Sequence, residues 1–429
     1  MAKSNAFTAL RREIAAIPVI DTHEHLPNEA DRLKQSVDFY TLFSHYCAGD
    51  LVASGAPADT MAKLGDPNVP APEKWALFEP WYRYVADGSY ARCAHLAMQR
   101  FYRVDRLASL KDAEKLTERI RAANKPGLYR KVLKDACGIV TGLNNGGTGV
   151  DREFFTPVRF VSELAEVGAL DRIRAVEKES GRACTSLARY VQAIGDILEA
   201  EKARGLKGVK LGFAYTRPLH FASVPAADAE RLFNRVFDES QGWRAACLGY
   251  DETRPLQDYL VHQLAALAGD LDLTAVFHTG IQAGNENHLD NGRPERLWNL
   301  LRRYRKTRFD IFHIGLPWVE EAGMLAKYFP HVWVDFAWAH AISPEIAARA
   351  LKIYVDMVPR NKVLGFGGDY AVVEKVYGHL ELARDNIARA MAGKVAEGAL
   401  DPARAVAWAR ALLHDNPIAA YKLDIQPLD

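Results

Sequence analysis

The segment Ile20-Asp21-Thr22-His23-Glu24-His25-Leu26 places two imidazoles two residues apart at the end of an apolar run. Along a β-strand that spacing turns His23 and His25 to one face and Glu24 to the other, so both rings can converge on one divalent ion. Three later segments each set one imidazole or carboxylate after an apolar run: Phe277-His278-Thr279-Gly280, Phe312-His313-Ile314-Gly315 and Gly367-Gly368-Asp369-Tyr370. An isolated His-x-His is common in strands that bind nothing. Its repetition at other strand ends points to one site and to metal-assisted chemistry on a small molecule.

Bringing those residues together requires strands whose carboxyl ends meet. Short runs rich in β-branched and aromatic residues recur at 19–25, 137–143, 158–164, 208–214, 273–278, 309–313, 332–338 and 363–369. Most are followed by stretches of helical periodicity, such as SLARYVQAIGDILEAEKARG and RLWNLLRRYRKT. Alternating strand and helix implies parallel βα units, and eight of them close a TIM (β/α)8 barrel, whose chemistry sits at the carboxyl ends of the strands. The chain reads as one barrel domain over residues 1–429. Residues 27–135 form a mainly helical insert after the first strand, far longer than a barrel loop needs. Leaving from the catalytic face, the insert is expected to roof the pocket as a lid; a packing extension or oligomer interface is the other reading.

In this arrangement the sequence resembles the amidohydrolase superfamily, through the His-x-His of the first strand, single histidines on the fifth and sixth, and the aspartate ending the eighth. The run from FHTGIQAG through FHIGLPW to GFGGDY is similar to the amidohydrolase-related branch with nodulin-like and fluG-type domains, and more distantly to uronate isomerases and decarboxylases. Asn416 and Tyr421 resemble the Asn-x-x-x-x-Tyr ending common there, with Pro417 in place of the usual alanine. The resemblance implies that His23, His25, His278 and Asp369 bind metal, that Asp369 also carries a proton, and that His313 is a base or polarises the substrate. Three neutral nitrogens and one carboxylate leave a position for water. Zinc lowers the pKa of such a water towards about 7. One divalent ion is expected, zinc first, with manganese, iron or cobalt as alternatives.

Lys210, among apolar residues of the fourth strand, is read as an ammonium that binds a substrate carboxylate; a carboxylated lysine bridging two metals and a packed lysine with an acidic partner are the alternatives. Arg217 is a candidate clamp on an anionic substrate or a solvated loop residue. Gln282, Asn285 and Trp318 lie on loops expected to face the pocket. Asp335 and His340 read as a satisfied core aspartate and a histidine at a helix start. Gly365, Gly367 and Gly368 lack the spacing of a phosphate-binding loop and are expected to let backbone approach Asp369 closely.

Lysine plus arginine number 55 against 54 acidic residues, a formal charge of +1, which argues against a nucleic-acid partner. Five scattered cysteines without a Cys-x-x-Cys pair suggest neither disulfides nor a thiolate metal site. The start of the chain lacks a signal-peptide pattern and no long apolar run suggests a membrane span, so a cytoplasmic enzyme, possible as a homo-oligomer, is expected. The first functional expectation is hydrolysis of an amide, lactone or related bond in a small carboxylate-bearing substrate. Uronate isomerisation or decarboxylation on the same frame is the second. A catalytically silent, metal-binding barrel that acts as a binding protein is the third.

Overall fold

The computed structural model describes residues 2–239 and 249–428. Eight parallel strands follow one another in chain order, β1 (Val19–Glu24), β2 (Ile139–Asn144), β3 (Phe155–Phe160), β4 (Gly208–Leu211), β5 (Thr274–Phe277), β6 (Arg308–Ile311), β7 (Val332–Asp335) and β8 (Val363–Leu364). The last pairs with the seventh, and backbone bonds then carry the chain past β8 back to β1: Thr22 N–H donates to Phe366 O at 3.0 Å and Asp369 N–H to His23 O at 2.8 Å. The result is a (β/α)8 barrel, as the alternation of apolar runs implies. The eighth strand is only Val363–Leu364 where 363–369 was expected, and the third runs over Phe155–Phe160 instead of 158–164. The third ends at Phe160 because the next residues turn, with Ser162 Oγ accepting Gly212 N–H at 2.7 Å instead of extending the ladder.

Inward-facing Ile20, Leu143, Val158, Val276, Phe312, Trp333 and Leu364 fill the barrel. The carboxyl-terminal Ile418, Ala420, Tyr421 and Leu423 join the same cluster and close the floor. Asn416 and Tyr421, noted for their spacing, fasten that segment. Asn416 Nδ2 donates to Arg360 O and Val363 O, both at 2.7 Å, and Tyr421 O–H donates to Asp310 Oδ2 at 2.5 Å.

The insert is helical, with principal helices Tyr46–Ala53, Ala58–Gly65, Ala71–Val85, Ser89–Tyr102 and Leu110–Ala123. It has its own apolar cluster around Phe39, Leu42, Phe43, Phe78, Met98 and Leu116, separate from the barrel core. Local signals set its helices: Ser109 caps the last one by accepting Asp112 N–H at 3.3 Å. Cys47, Cys93, Cys137 and Cys184 are buried free thiols, and Cys247 lies outside the described residues. Among the described residues no helix is long and apolar enough to cross a membrane.

Candidate metal centre and active site

Strand β1 is buried along its whole length, which no surface strand tolerates with Asp21, Thr22, His23 and Glu24 in it unless each polar group is engaged. Its pairing with β2 shifts register between Asp21 and Glu24. Glu24 is thereby turned away from the imidazoles: its Oε2 accepts Tyr370 N–H at 2.9 Å, while Asp21 Oδ1 accepts Gly368 N–H at 3.0 Å. Burial pushes Asp21 up to about 6, and burial together with Asp21 holds Glu24 well above the carboxylate range, so this acid pair retains a proton. A Cβ on Gly368 would collide with Glu24 Oε1, which confirms close backbone approach as that glycine's function.

His23 Nε2 and His25 Nε2 lie 3.1 Å apart, and Asp369 Oδ1 stands 3.3 Å from the first and 3.2 Å from the second. Asp369 is held there by the left-handed backbone at φ 58° and by Tyr46, whose O–H donates to Asp369 O at 2.6 Å. Burial alone would raise the Asp369 pKa, but His23 and His25 outweigh it and keep the group a carboxylate. Burial and then the Lys210 charge hold His23 well below its ordinary value, in the neutral form that ligates metals. Two imidazole nitrogens and a carboxylate oxygen converging within 4.8 Å of one another form a donor set that fits a divalent cation.

His278 lies outside that group of three among the described residues and lines the adjoining cavity. Its Nε2–H donates to Ile281 O at 2.9 Å and its Nδ1 faces His313 Nε2 at 3.1 Å. His313 in turn donates Nδ1–H to Ala337 O at 2.7 Å, and its Nε2 stands 3.9 Å from Asp369 Oδ2. Both outer N–H groups are therefore taken by carbonyls, which fixes the tautomers and aims two nitrogen lone pairs at each other. Burial lowers His313 to about 4 and holds His278 well below its ordinary value, so the pair is neutral near pH 7. Strain accompanies this placement, since His313, Ile314, Trp338 and Asp369 at the ends of β6 to β8 are all left-handed.

Lys210 is buried with no hydrogen-bond partner for Nζ among the described residues, 3.6 Å above the centre of the Phe312 ring. Burial lowers its pKa to about 7 against the opposing pull of Asp369, Asp310 and Asp335. It lines a cavity of about 430 Å³ together with His25, His278 and Asp369.

Four other expected substrate contacts are placed elsewhere. Arg217 is buried against Asp258, with which it is ion-paired, and donates to Gln257 Oε1 at 3.2 Å and to His220 O at 3.0 Å. An arginine one residue from a loop proline gave no sign of that buried partner forty residues on. Gln282 ties the loops after β4 and β5 by donating to Ala214 O at 2.9 Å and His288 O at 3.1 Å. Trp318 stacks under the Arg293 guanidinium at 4.8 Å. Asn285 donates to Gly49 O at 3.0 Å and so joins the β5 loop to the insert. His340 is the core residue it reads as, donating to Gly365 O at 3.0 Å; Asp335 is buried and its Oδ1 accepts Ala337 N–H at 2.7 Å, but its Oδ2 has no hydrogen-bond partner among the described residues.

In place of the arginine and tryptophan, the cavity is lined by His45 and Tyr46 of the insert, Asn145 after β2 and Tyr215 after β4. Tyr215 packs its ring 4.7 Å from that of His278, and its hydroxyl oxygen accepts Ala283 N–H at 3.1 Å. Nothing in the local pattern of FSHYCAG marks His45 and Tyr46. The one available signal was that an insert leaving β1 must pass over its catalytic end.

The family model described as an amidohydrolase matches residues 186–423. The chain belongs to this family. Its barrel is that of an amidohydrolase-superfamily enzyme, and members are typically metal-dependent, which the donor set of His23, His25 and Asp369 suits. Protein fluG of Emericella nidulans is 26% identical over 226 residues, which is 51% of this chain and 26% of fluG, so the amidohydrolase chain corresponds to about a quarter of that relative. The uronate isomerase of Nostoc punctiforme is 21% identical across 96% of this chain and 94% of its own length. Among solved structures, glucuronate isomerase from Caulobacter crescentus superposes with a TM-score of 0.77 at 19% identity, covering 99% of this chain and 95% of that one.

Proposed function

We propose that this amidohydrolase-family chain is a metal-dependent isomerase of a small sugar acid. The observation that carries the reading is the extent of the likeness. Similarity to uronate isomerases runs through the helical insert that supplies His45 and Tyr46 to the cavity, whereas the amidohydrolase model begins at residue 186. His23, His25 and Asp369 would hold one divalent ion, which supplies electrophilic polarisation of a carbonyl oxygen.

In an open-chain uronate the reaction takes a proton from the carbon bearing the hydroxyl next to the aldehyde. It places a proton on the aldehyde carbon, and the hydroxyl proton moves to the other oxygen. No water is consumed. Asp369 suits the carbon-to-carbon transfer, because it is a carboxylate at the closed end of the cavity and its Oδ2 is the oxygen turned towards His313. His278 and His313 hold their lone pairs towards one another, with His278 on the cavity wall, so that this pair can accept the hydroxyl proton in transit. Lys210 presents its ammonium to the anionic end of the substrate, and Tyr46 fixes the Asp369 backbone. Hydrolysis by activated water is the second reading, favoured by the family model itself.

Incubation of the metal-loaded protein with glucuronate in deuterium oxide distinguishes them. The expected product is the ketose with solvent deuterium at carbon. Absence of ketose with glucuronate and related uronates, together with solvent oxygen appearing in a new carboxylate from lactone or amide substrates, would replace isomerisation by hydrolysis.

A further inference from the structure

A second cleft of about 430 Å³ opens away from the metal centre. It lies where the insert helices Ser89–Tyr102 and Leu110–Ala123 meet the turn at residues 125–128 and the π-helical segment Arg130–Ala136. Among the described residues, Arg103, Arg119, Lys125 and Lys131 line it, and no carboxylate does. In a chain whose formal charge is only +1, four cations facing one concavity are a local concentration that the overall composition does not explain.

Among the described residues only one of the four side chains is hydrogen-bonded within the fold. Arg119 Nη1 donates to Tyr102 O at 2.5 Å and Arg103 O at 3.0 Å, satisfying carbonyls left open at the end of a helix. Arg103, Lys125 and Lys131 form no ion pair among the described residues, and two carboxylates bonded to the cleft's own residues are taken up by other groups. Glu29 accepts Tyr129 N–H at 2.7 Å and Gly127 N–H at 3.3 Å, while Glu374 pairs with Arg32 at 3.1 Å and accepts Tyr102 O–H at 2.6 Å. Arg103 moreover sits in the left-handed region at φ 51° and ψ 39°, a conformation in which glycine is the residue of least strain. Phe101 and Leu128 give the cleft an apolar wall, with the Lys131 ammonium 5.8 Å over the Phe101 ring.

We propose that this cleft binds a small phosphorylated molecule, its phosphates among Arg103, Lys125 and Lys131 and an apolar ring against Phe101 and Leu128. A guanidinium matches phosphate oxygens bidentately and lysines add point charge, so a multiply charged phosphate is the anion this set neutralises best. The concave shape suits a small ligand, whereas a polymer backbone needs an extended basic surface. The site is independent of the isomerase reading.

Calorimetric titration of the full chain with ADP and with inorganic pyrophosphate, at low salt, tests it. ADP is expected to bind with Kd of about 1 mM or tighter, and at least about tenfold more weakly to the Arg103→Ser, Lys131→Ser double variant. Binding to Lys210→Met should match the wild type, because that residue lies in the other cavity. Both substituted positions are exposed, and unchanged circular dichroism verifies the fold; should the double variant fail to fold, Lys125→Ser alone must weaken ADP binding. Failure of both probes to bind, equal binding by the folded variants, or loss of binding in Lys210→Met would overturn the proposal. Pyrophosphate binding as tightly as ADP would overturn its apolar half.

Discussion

At the floor of the barrel, complementary groups meet: the Tyr421 hydroxyl donates to Asp310, Asn416 to two carbonyls, and Arg308 Nε to Ala420 O at 2.8 Å. At the rim, like meets like. Imidazole nitrogens face imidazole nitrogens in two pairs, each 3.1 Å apart, and the Lys210 ammonium has no hydrogen-bond acceptor among the described residues. The floor holds the sheet together, whereas the rim is arranged so that its groups find their complement in a ligand. Left-handed backbone at His313, Ile314, Trp338 and Asp369 adds about 1–2 kcal/mol of strain per residue at that end.

The sharpest break of this contrast is Asp369→Asn. Turnover should fall by about a thousandfold while circular dichroism is preserved. Near-normal kcat would remove Asp369 from the proposed chemistry. The double variant His23→Ala, His25→Ala should lose the bound divalent ion, which elemental mass spectrometry reads directly. Retention of the wild-type metal content would mean that the ion sits elsewhere.

Lys210→Met should raise KM for an anionic substrate by about tenfold, equivalent to about 1.4 kcal/mol, with a smaller change in kcat. The wild-type group titrates near pH 7, so the ammonium form prevails below that pH and is lost above it. Affinity for the anion should therefore decline as pH rises through about 7, and the methionine variant should show no such step.

Substitutions below the rim should move stability without touching chemistry. Tyr421→Phe leaves a buried carboxyl without its donor, and should destabilise by about 1–3 kcal/mol with kcat/KM unchanged. The last effect is read against pH and belongs to Asp335, which burial raises to about 7 from an ordinary value of 3.8. Between those values the folded state carries the extra proton, so stability should decrease as pH rises from about 4 to about 7. Asp335→Asn should flatten that slope in denaturant titrations, and an unaltered slope would assign it to other groups.

Much of this organisation could be read from sequence because it is periodic. Alternating apolar runs and helical stretches specify eight βα units, and a residue ending a strand in such a barrel must reach the catalytic face, which made His23, His25, His278, His313 and Asp369 legible together. Gly367 and Gly368 were legible for the same reason, as the residues that let the chain return close to β1. Loop residues carry no comparable rule. Arg217, Gln282 and Trp318 have the right chemistry on the right end of the barrel, yet each is taken up by a partner remote in sequence: Asp258 for the arginine, two carbonyls for the glutamine, Arg293 for the tryptophan.

The tertiary structure alone decided which polar groups find partners within the protein and which are left for a ligand. It gave the His278 Nε2–H to Ile281 O and set its Nδ1 against His313 Nε2. It also brought His45 and Tyr46 from the insert to the cavity wall. Periodicity is a property of neighbouring residues and sets elements and faces; hydrogen-bond partnership at a rim depends on distances between strands and loops far apart in the chain, which only the closed barrel fixes.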